Sequence, residues 1–263
     1  MTRIEKRFAR LKSEGRKAFI PYITAGDPSL ELTEQLVIAL DRAGADVVEL
    51  GVPFSDPIAD GPVIQRATER GLKAGVTLNK VLDLAKSIRR KSEVPLLLFS
   101  YYNPLLNHGL EKLAKDATAA GFDGVLASDL TVEESGAFVR AMHSAGLNTV
   151  FLVAPTSSPE RMKKIAEAST GFLYAVSRTG VTGEQQQLAG DLKDFLRALR
   201  HCAKSPIAVG FGISRPEHVK AVWEGADGAI VGSSIVKEVE KHIGNADLVE
   251  KVAAFAAWLK GAQ

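Results

Sequence analysis

Cysteine is all but missing from this chain of 263 residues: Cys202 is the only one. No intrachain disulfide can form, a usage that fits a reducing compartment. Within His201-Cys202-Ala203-Lys204 it reads as a plain thiol near a helix end. An excess of charge is lacking as well, with 33 Lys and Arg against 31 Asp and Glu. That balance excludes the broad cationic face which nucleic acid or an anionic membrane would require. A long apolar run is also absent. The strongest, residues 95–102, is far short of the ~20 residues of a membrane span. The start, residues 1–14, is charged and amphipathic, reads as an extra helix, and lacks the apolar core of a signal segment. Together these absences point to a cytoplasmic protein.

The usual catalytic kits are missing too. His108, His143, His201, His218 and His242 are isolated, with no pair at metal-ligand spacing and no cysteine cluster, so no metal site is expected. There is no Gly-x-Ser-x-Gly elbow and no Gly-Lys-Ser/Thr phosphate loop. The run from Gly210 is no dinucleotide fingerprint, because Arg215 stands where its third glycine belongs. What is left is acid–base chemistry on a small molecule.

What the chain does contain is a regular alternation. Strand-like runs at 19–24, 46–50, 95–101, 124–127, 149–153, 172–176, 207–210 and 228–231 are interleaved with amphipathic stretches. The latter cover 30–43, 78–89, 110–120, 131–145, 159–168, 191–199 and 216–224. Several strands are apolar without alternation, as expected when both faces of a parallel sheet are buried. Eight such units in 263 residues favour an α/β fold, a single (β/α)8 TIM barrel over residues 1–263. An additional N-terminal helix and a short phosphate-binding helix after strand eight complete it. Ser158-Pro159-Glu160 and Ser214-Arg215-Pro216-Glu217 read as helix starts, each with a capping hydroxyl and a first-turn proline. The turn Ala-Gly-x-(Asp/Asn) recurs at 43–46, 120–123 and 145–148, with 225–227 a close relative. Its glycine ends a helix in the left-handed conformation, and a strand follows at once. Such tight turns belong to the lower face, which leaves the longer βα loops for the upper, chemical face.

Glu49 interrupts an apolar strand at its C-terminal end. A carboxylate there is costly to bury unpaired, so it should open onto the upper pocket, where desolvation would raise its pKa into the range of proton transfer. A solvated strand-end residue is the competing reading, and position alone does not separate them. Asp60 follows after a loop stiffened by Pro53, Pro57 and Pro62. Asp56 lies in the same loop, and spacing cannot choose between the two. Glycine runs follow strands six, seven and eight: residues 177–183 with Thr182 and Gly183, Gly210-Phe211-Gly212, and Gly232-Ser233-Ser234. Backbone N–H groups in such runs, with a helix N-terminus, suit a phosphate. Tyr22, Phe54, Tyr101, Leu126, Tyr174 and Phe211 could form an apolar slot beside the carboxylates, or simply fill the barrel.

The stretch Glu49-Leu50-Gly51-Val52-Pro53-Phe54-Ser55-Asp56-Pro57-Ile58-Ala59-Asp60-Gly61-Pro62-Val63-Ile64-Gln65 resembles the hallmark segment of tryptophan synthase alpha subunits. Residues 21–28, Tyr102-Asn103-Pro104, residues 177–183, 210–214 and Gly232-Ser233 resemble that family in the right order, so the likeness runs from end to end. It implies retro-aldol cleavage of indole-3-glycerol phosphate to indole and glyceraldehyde 3-phosphate. Glu49 would then transfer the protons, and Asp60 would stabilise positive charge at the indole N–H. Gly183, Gly212, Gly232 and Ser233 would hold the phosphate. Tyr22, Tyr101, Leu126, Tyr174 and Phe211 would bound the indole. Residues 177–190 would form a lid, with Thr182 reaching Asp60. The likeness also implies no cofactor in this chain and a beta-subunit partner carrying pyridoxal phosphate in an α2β2 heterotetramer, contacted through Pro53, Asp56 and residues 103–107. Three positions depart from the family pattern. Ser128-Asp129-Leu130-Thr131 replaces the usual Pro-Asp-Leu-Pro, the lid lacks its arginine and proline, and Tyr22 replaces a common phenylalanine. A phosphosugar epimerase of similar fold would call for a histidine metal set. A barrel that only activates a partner would need neither Glu49 nor Asp60.

Overall fold

A computed structural model describes residues 1–176, 185–210 and 212–261, and of residues 185–191 the backbone alone. Its strand segments are β1 (Ala18–Thr24), β2 (Val48–Gly51), β3 (Leu96–Ser100), β4 (Gly124–Ala127), β5 (Asn148–Thr149), β6 (Leu152–Val153), β7 (Leu173–Val176), β8 (Ile207–Gly210) and β9 (Gly228–Val231). All their pairings are parallel, in the order β5-β4-β3-β2-β1-β9-β8-β7-β6. The two ends of that order are successive pieces of one run. Between them the Val150 N–H donates to the Val125 carbonyl at 3.2 Å, and the Phe151 carbonyl accepts from the Tyr174 N–H at 3.1 Å. The sheet therefore closes on itself, and the segments are the eight strands of a (β/α)8 barrel. One continuous strand was expected over 149–153. It divides because its first half pairs with β4 and its second half with β7.

The strands carry side chains into two separate cores, which is why they read as apolar without alternation. On β1, Phe19 and Ile23 face the outer helices while Ala18 and Ile20 face the lumen. The lumen is filled by Val47, Leu97, Leu126, Val150, Phe172, Ala208 and Ile230, joined by Ile4, Phe8 and Leu11 of the N-terminal helix Arg3–Ser13. That helix is the expected extra one. It starts with a capping box, Thr2 with Glu5, and plugs the lower end of the barrel, where Phe8 meets Phe172 at 5.8 Å between ring centroids. Burying one such ring contributes about 1.5–3 kcal/mol.

The outer helices bury their apolar stripes against the sheet, as Leu36, Val37 and Leu40 of Leu30–Arg42 do. The stretch expected as one helix over 131–145 is a 3-10 turn, Val132–Glu134, followed by a helix at Gly136–Ser144. Ser158 caps the helix Pro159–Ala168 through the Arg161 N–H. Ser214 does not cap Pro216–Trp223: proline occupies the first turn, so Arg215 is the cap residue, and it makes no side-chain cap bond. Gly44, Gly121 and Gly146 take positive φ of 94°, 88° and 77° at the lower turns, whereas Gly225 does not.

Those turns have a second feature. The Asp46 carboxylate accepts from the Phe19 N–H at 3.0 Å, Asp123 from Leu96 at 3.0 Å and Asp227 from Ile207 at 2.9 Å. Each aspartate thus satisfies the start of a neighbouring strand, and each also holds an arginine: Arg7, Arg3 with Arg89, and Arg200. The lower face is a ring of fully partnered charges. Among the described residues, no helix is long and apolar enough to cross a membrane.

Candidate active site

At the opposite end, a cleft of about 380 Å³ opens among the strand termini. Tyr22 of β1, Glu49 of β2, Phe99 of β3, Tyr174 and Val176 of β7, Gly210 of β8 and Ile230 of β9 line it from within. Ala59-Asp60-Gly61 with Ile64, Gly212-Ile213 and Gly232-Ser233-Ser234 line it from the loops. Register explains the convergence. Tyr22 pairs with Glu49 and Glu49 with Leu97, so inward side chains of adjacent strands stand at one level.

Glu49 belongs to the cleft wall and yet is 0% exposed, and neither carboxyl oxygen has a hydrogen-bond partner. Burial pushes its carboxyl well above the usual carboxylate range, because desolvation favours the protonated form over the charged one. The solvated reading of Glu49 is thereby excluded. Tyr22 beside it fits because Gly51 has no side chain: a Cβ there would meet the Tyr22 hydroxyl oxygen at 2.1 Å. That hydroxyl lies 3.3 Å from Thr24 Oγ1, and the ring stands edge-on to Phe99 at 5.2 Å between centroids.

The loop after β2 separates the two aspartates that spacing could not. The Ile58 N–H bonds back to the Asp56 carbonyl and the Asp60 N–H to that of Pro57, at 2.9 and 3.0 Å. The chain turns between them. Asp60 enters the cleft with Glu49, while Asp56 is exposed and lines a separate shallow cavity with Phe54, Pro57 and Ile58. Burial raises the Asp60 carboxyl, and a hydrogen bond with Tyr101 moderates the rise. Tyr101 therefore sits behind Asp60 and does not line the cleft. Its hydroxyl accepts from the Ala59 N–H at 2.9 Å, and its ring lies 5.1 Å from that of Phe54. Leu126 does not line the cleft either. It stands level with Phe99 in the register and is fully buried in the lumen core.

The far side of the cleft presents a helix N-terminus. Gly232 is the cap residue of the helix Ser233–Lys241, and no side chain caps it, so its first N–H groups remain available at the positive end of the dipole. Gly212 stands opposite with φ 40°. The Ser234 hydroxyl donates to the Ile213 carbonyl and ties the two loops together. No lysine or arginine lines the cleft among the described residues, so the donors on this side are backbone N–H groups. Thr182, Gly183 and Phe211 lie outside the described residues, as does most of the expected lid. Phe99 and Ile64 were not anticipated, although two-residue alternation through Leu97 singles out Phe99 as the next inward side chain.

The family model described as tryptophan synthase alpha chain matches residues 8–262. The tryptophan synthase alpha chain of Solibacter usitatus is 54% identical over 99% of this chain and 97% of its own length. Subunit alpha of tryptophan synthase from Legionella pneumophila superposes with a TM-score of 0.91 at 38% identity, covering 100% of this chain and 98% of that one. A structure of the tryptophan synthase α2β2 complex from Pyrococcus furiosus, described as the basis of mutual activation in that complex, matches at a TM-score of 0.86. Its identity is 40%, covering 93% of this chain and 98% of that one.

Proposed function

The chain belongs to the tryptophan synthase alpha chain family, and we propose that Glu49 and Asp60 carry out the reaction of that family in it. It cleaves indole-3-glycerol phosphate to indole and glyceraldehyde 3-phosphate. The two products together contain every atom and electron of the substrate, so the step needs only proton transfers and bond cleavage. A proton must reach indole C3, and the hydroxyl on the adjacent side-chain carbon must lose one as the carbon–carbon bond breaks. The observation that carries the assignment is the buried, unpartnered Glu49 carboxyl. Held neutral by burial, it gives its proton to C3, and the carboxylate so formed takes the hydroxyl proton back, closing the cycle. Asp60, half-buried with Tyr101 behind it, lies where positive charge develops on the ring nitrogen and stabilises it.

Gly212, Gly232 and Ser233 bind the phosphate through backbone N–H groups, and Tyr22 and Tyr174 bound the indole. The chemistry asks for no cofactor from this chain. By likeness to the Pyrococcus furiosus complex, the partner is a beta subunit in an α2β2 assembly, and pyridoxal phosphate belongs on that partner. We assign residues 1–263 to one domain and the protein to the cytoplasm, on the strength of the closed sheet and its lone cysteine. The test is direct. Purified protein should release glyceraldehyde 3-phosphate from indole-3-glycerol phosphate, and Glu49→Gln should stop this while glycerol 3-phosphate still binds. Turnover retained by that variant would overturn the assignment.

A further inference from the structure

The two ends of the substrate are held by different parts of the chain, and a charged bridge joins those parts on the side away from the cleft. Asp60 is followed at once by the helix Pro62–Lys73, with Gly61 as its cap residue. The Gln65 side chain donates to the Asp60 carbonyl at 2.8 Å, which fastens the loop to the helix. The phosphate end rests on the first turn of Ser233–Lys241. The last turn of that helix carries Glu240. Arg66 grips Glu240 through Nε and Nη2, both at 2.7 Å, and Arg70 adds Nη1 at 2.8 Å. Arg70 also forks onto Asp27, beyond β1, at 2.6 and 3.0 Å.

This arrangement differs from a scattered surface ion pair. A bidentate Arg66 fork and one Arg70 N–H converge on one carboxylate, a geometry that fixes orientation as well as distance. Hydrogen bonding to Arg66 leads the effects that hold the Glu240 carboxyl down at about 2, so the bridge stays charged at any working pH. Asp27 is 3% exposed, so Arg70 is anchored to the barrel wall as well. Sliding Ser233–Lys241 along Pro62–Lys73 would break these bonds together.

We propose that Glu240, with Arg66 and Arg70, is a positioning group for the lyase reaction. It sets the separation between the phosphate-binding helix and the Asp60 loop, so that a substrate seated by its phosphate has its indole ring against Asp60. This rests on the Asp60 and phosphate-helix assignments above. None of the three residues touches the cleft.

The experiment uses Glu240→Gln, which removes the shared charge and leaves the Arg70–Asp27 fork in place. Misplacing reacting groups by about 1 Å costs on the order of 10²-fold in rate. The kcat for indole-3-glycerol phosphate should fall about tenfold or more, while glycerol 3-phosphate and indole, each titrated alone, keep their Kd within about twofold. Arg66→Met should show the same split, and Arg66→Lys, which restores the charge but not the fork, should recover only part of the loss. Thermal melts identify any variant unfolded at assay temperature. Arg66→Met keeps every Arg70 bond and serves if Glu240→Gln is such a variant. Unchanged kcat, or fragment affinities that fall in step with kcat, would overturn the proposal. Failure of the Asp60 or Glu49 assignment would show itself separately, as turnover that survives Asp60→Asn or Glu49→Gln.

Discussion

Asp46 and Glu49 stand three residues apart in one strand run, at opposite ends of the barrel wall, and both are buried. Asp46 at the lower end is surrounded by donors: the Phe19 N–H at 3.0 Å, Arg7 at 3.2 Å and Lys260 at 3.5 Å. Glu49 at the upper end has none. Burial alone therefore does not mark a functional carboxylate, because the structural one is as deeply placed. The difference lies in the partners. A partnered carboxylate pins chain segments together, whereas burial of an unpartnered one favours the protonated form, which has a proton to give away.

The largest expected effect separates the two by activity. Glu49→Gln removes the only proton carrier assigned to the reaction, and kcat should fall by roughly 10²–10⁴-fold or more. Asp46→Asn, assayed where it remains folded, should keep kcat within about fivefold, because no atom of Asp46 approaches the cleft. A large drop in both would erase the distinction. The next effect reverses the order and is read in denaturant. Asp46→Ala leaves the Phe19 N–H without its acceptor and Arg7 and Lys260 with only the Ala45 and Gly44 carbonyls, and should cost about 3–5 kcal/mol. Glu49→Gln deprives nothing of a partner, so its midpoint should stay level or rise.

A smaller effect appears in the dependence of stability on pH, where the two ends should tilt in opposite directions. An unfolded glutamate titrates near 4.5 and folded Glu49 well above that. Between those values the folded protein keeps a proton that the unfolded chain has released, so stability falls as pH rises through that window. Glu49→Gln should flatten this limb. At the lower end, burial raises the Asp227 carboxyl, but the Arg200 and Ile207 hydrogen bonds outweigh it and leave it below its usual 3.8. Its contribution is present above that value and is lost as pH falls through the folded one. Asp227→Asn should flatten the acid limb alone. Urea titrations across the pH range check both limbs, and the same slope change from both variants would contradict the contrast.

The upper end was more legible in the sequence than the lower. Glu49 announced itself as a charge inside an apolar strand, and the glycine runs marked the ends of β8 and β9. The choice between Asp60 and Asp56 was not legible, because it depends on which way a four-residue turn sends the chain. Tyr101 and Leu126 were grouped with the cleft because they lie near strand ends. The hydroxyl of one accepts from the Ala59 N–H, and the other is packed into the lumen core beside Phe99. At the lower end, the Ala-Gly-x-Asp turns revealed their glycines but not the work of their aspartates. Asp123 finds Arg3 some 120 positions away, and no local pattern records such a pairing. The division of the run 148–153 belongs to the same class, since only closure of the whole sheet requires it.

Tyr22 offers the finest test, because its hydroxyl is the polar atom that the upper end adds where the family commonly has phenylalanine. The hydroxyl is 3.3 Å from Thr24 Oγ1, at the long end of hydrogen bonding, and the ring packs against Phe99 and the open flank of Gly51. Removing it leaves the ring contacts intact, so Tyr22→Phe should change stability by about 1 kcal/mol or less. It should change kcat/KM by less than about fivefold. The lower end again supplies the contrast. Trp223 Nε1 donates to the buried Ala18 carbonyl at 2.9 Å, and Trp223→Phe should cost about 1–2 kcal/mol through the lost bond and the smaller ring. If Tyr22→Phe instead lowered kcat as far as Glu49→Gln does, the hydroxyl would belong to the proton path. The upper end would then work through a relay of buried polar groups, and the isolation of Glu49 would not be the source of its reactivity.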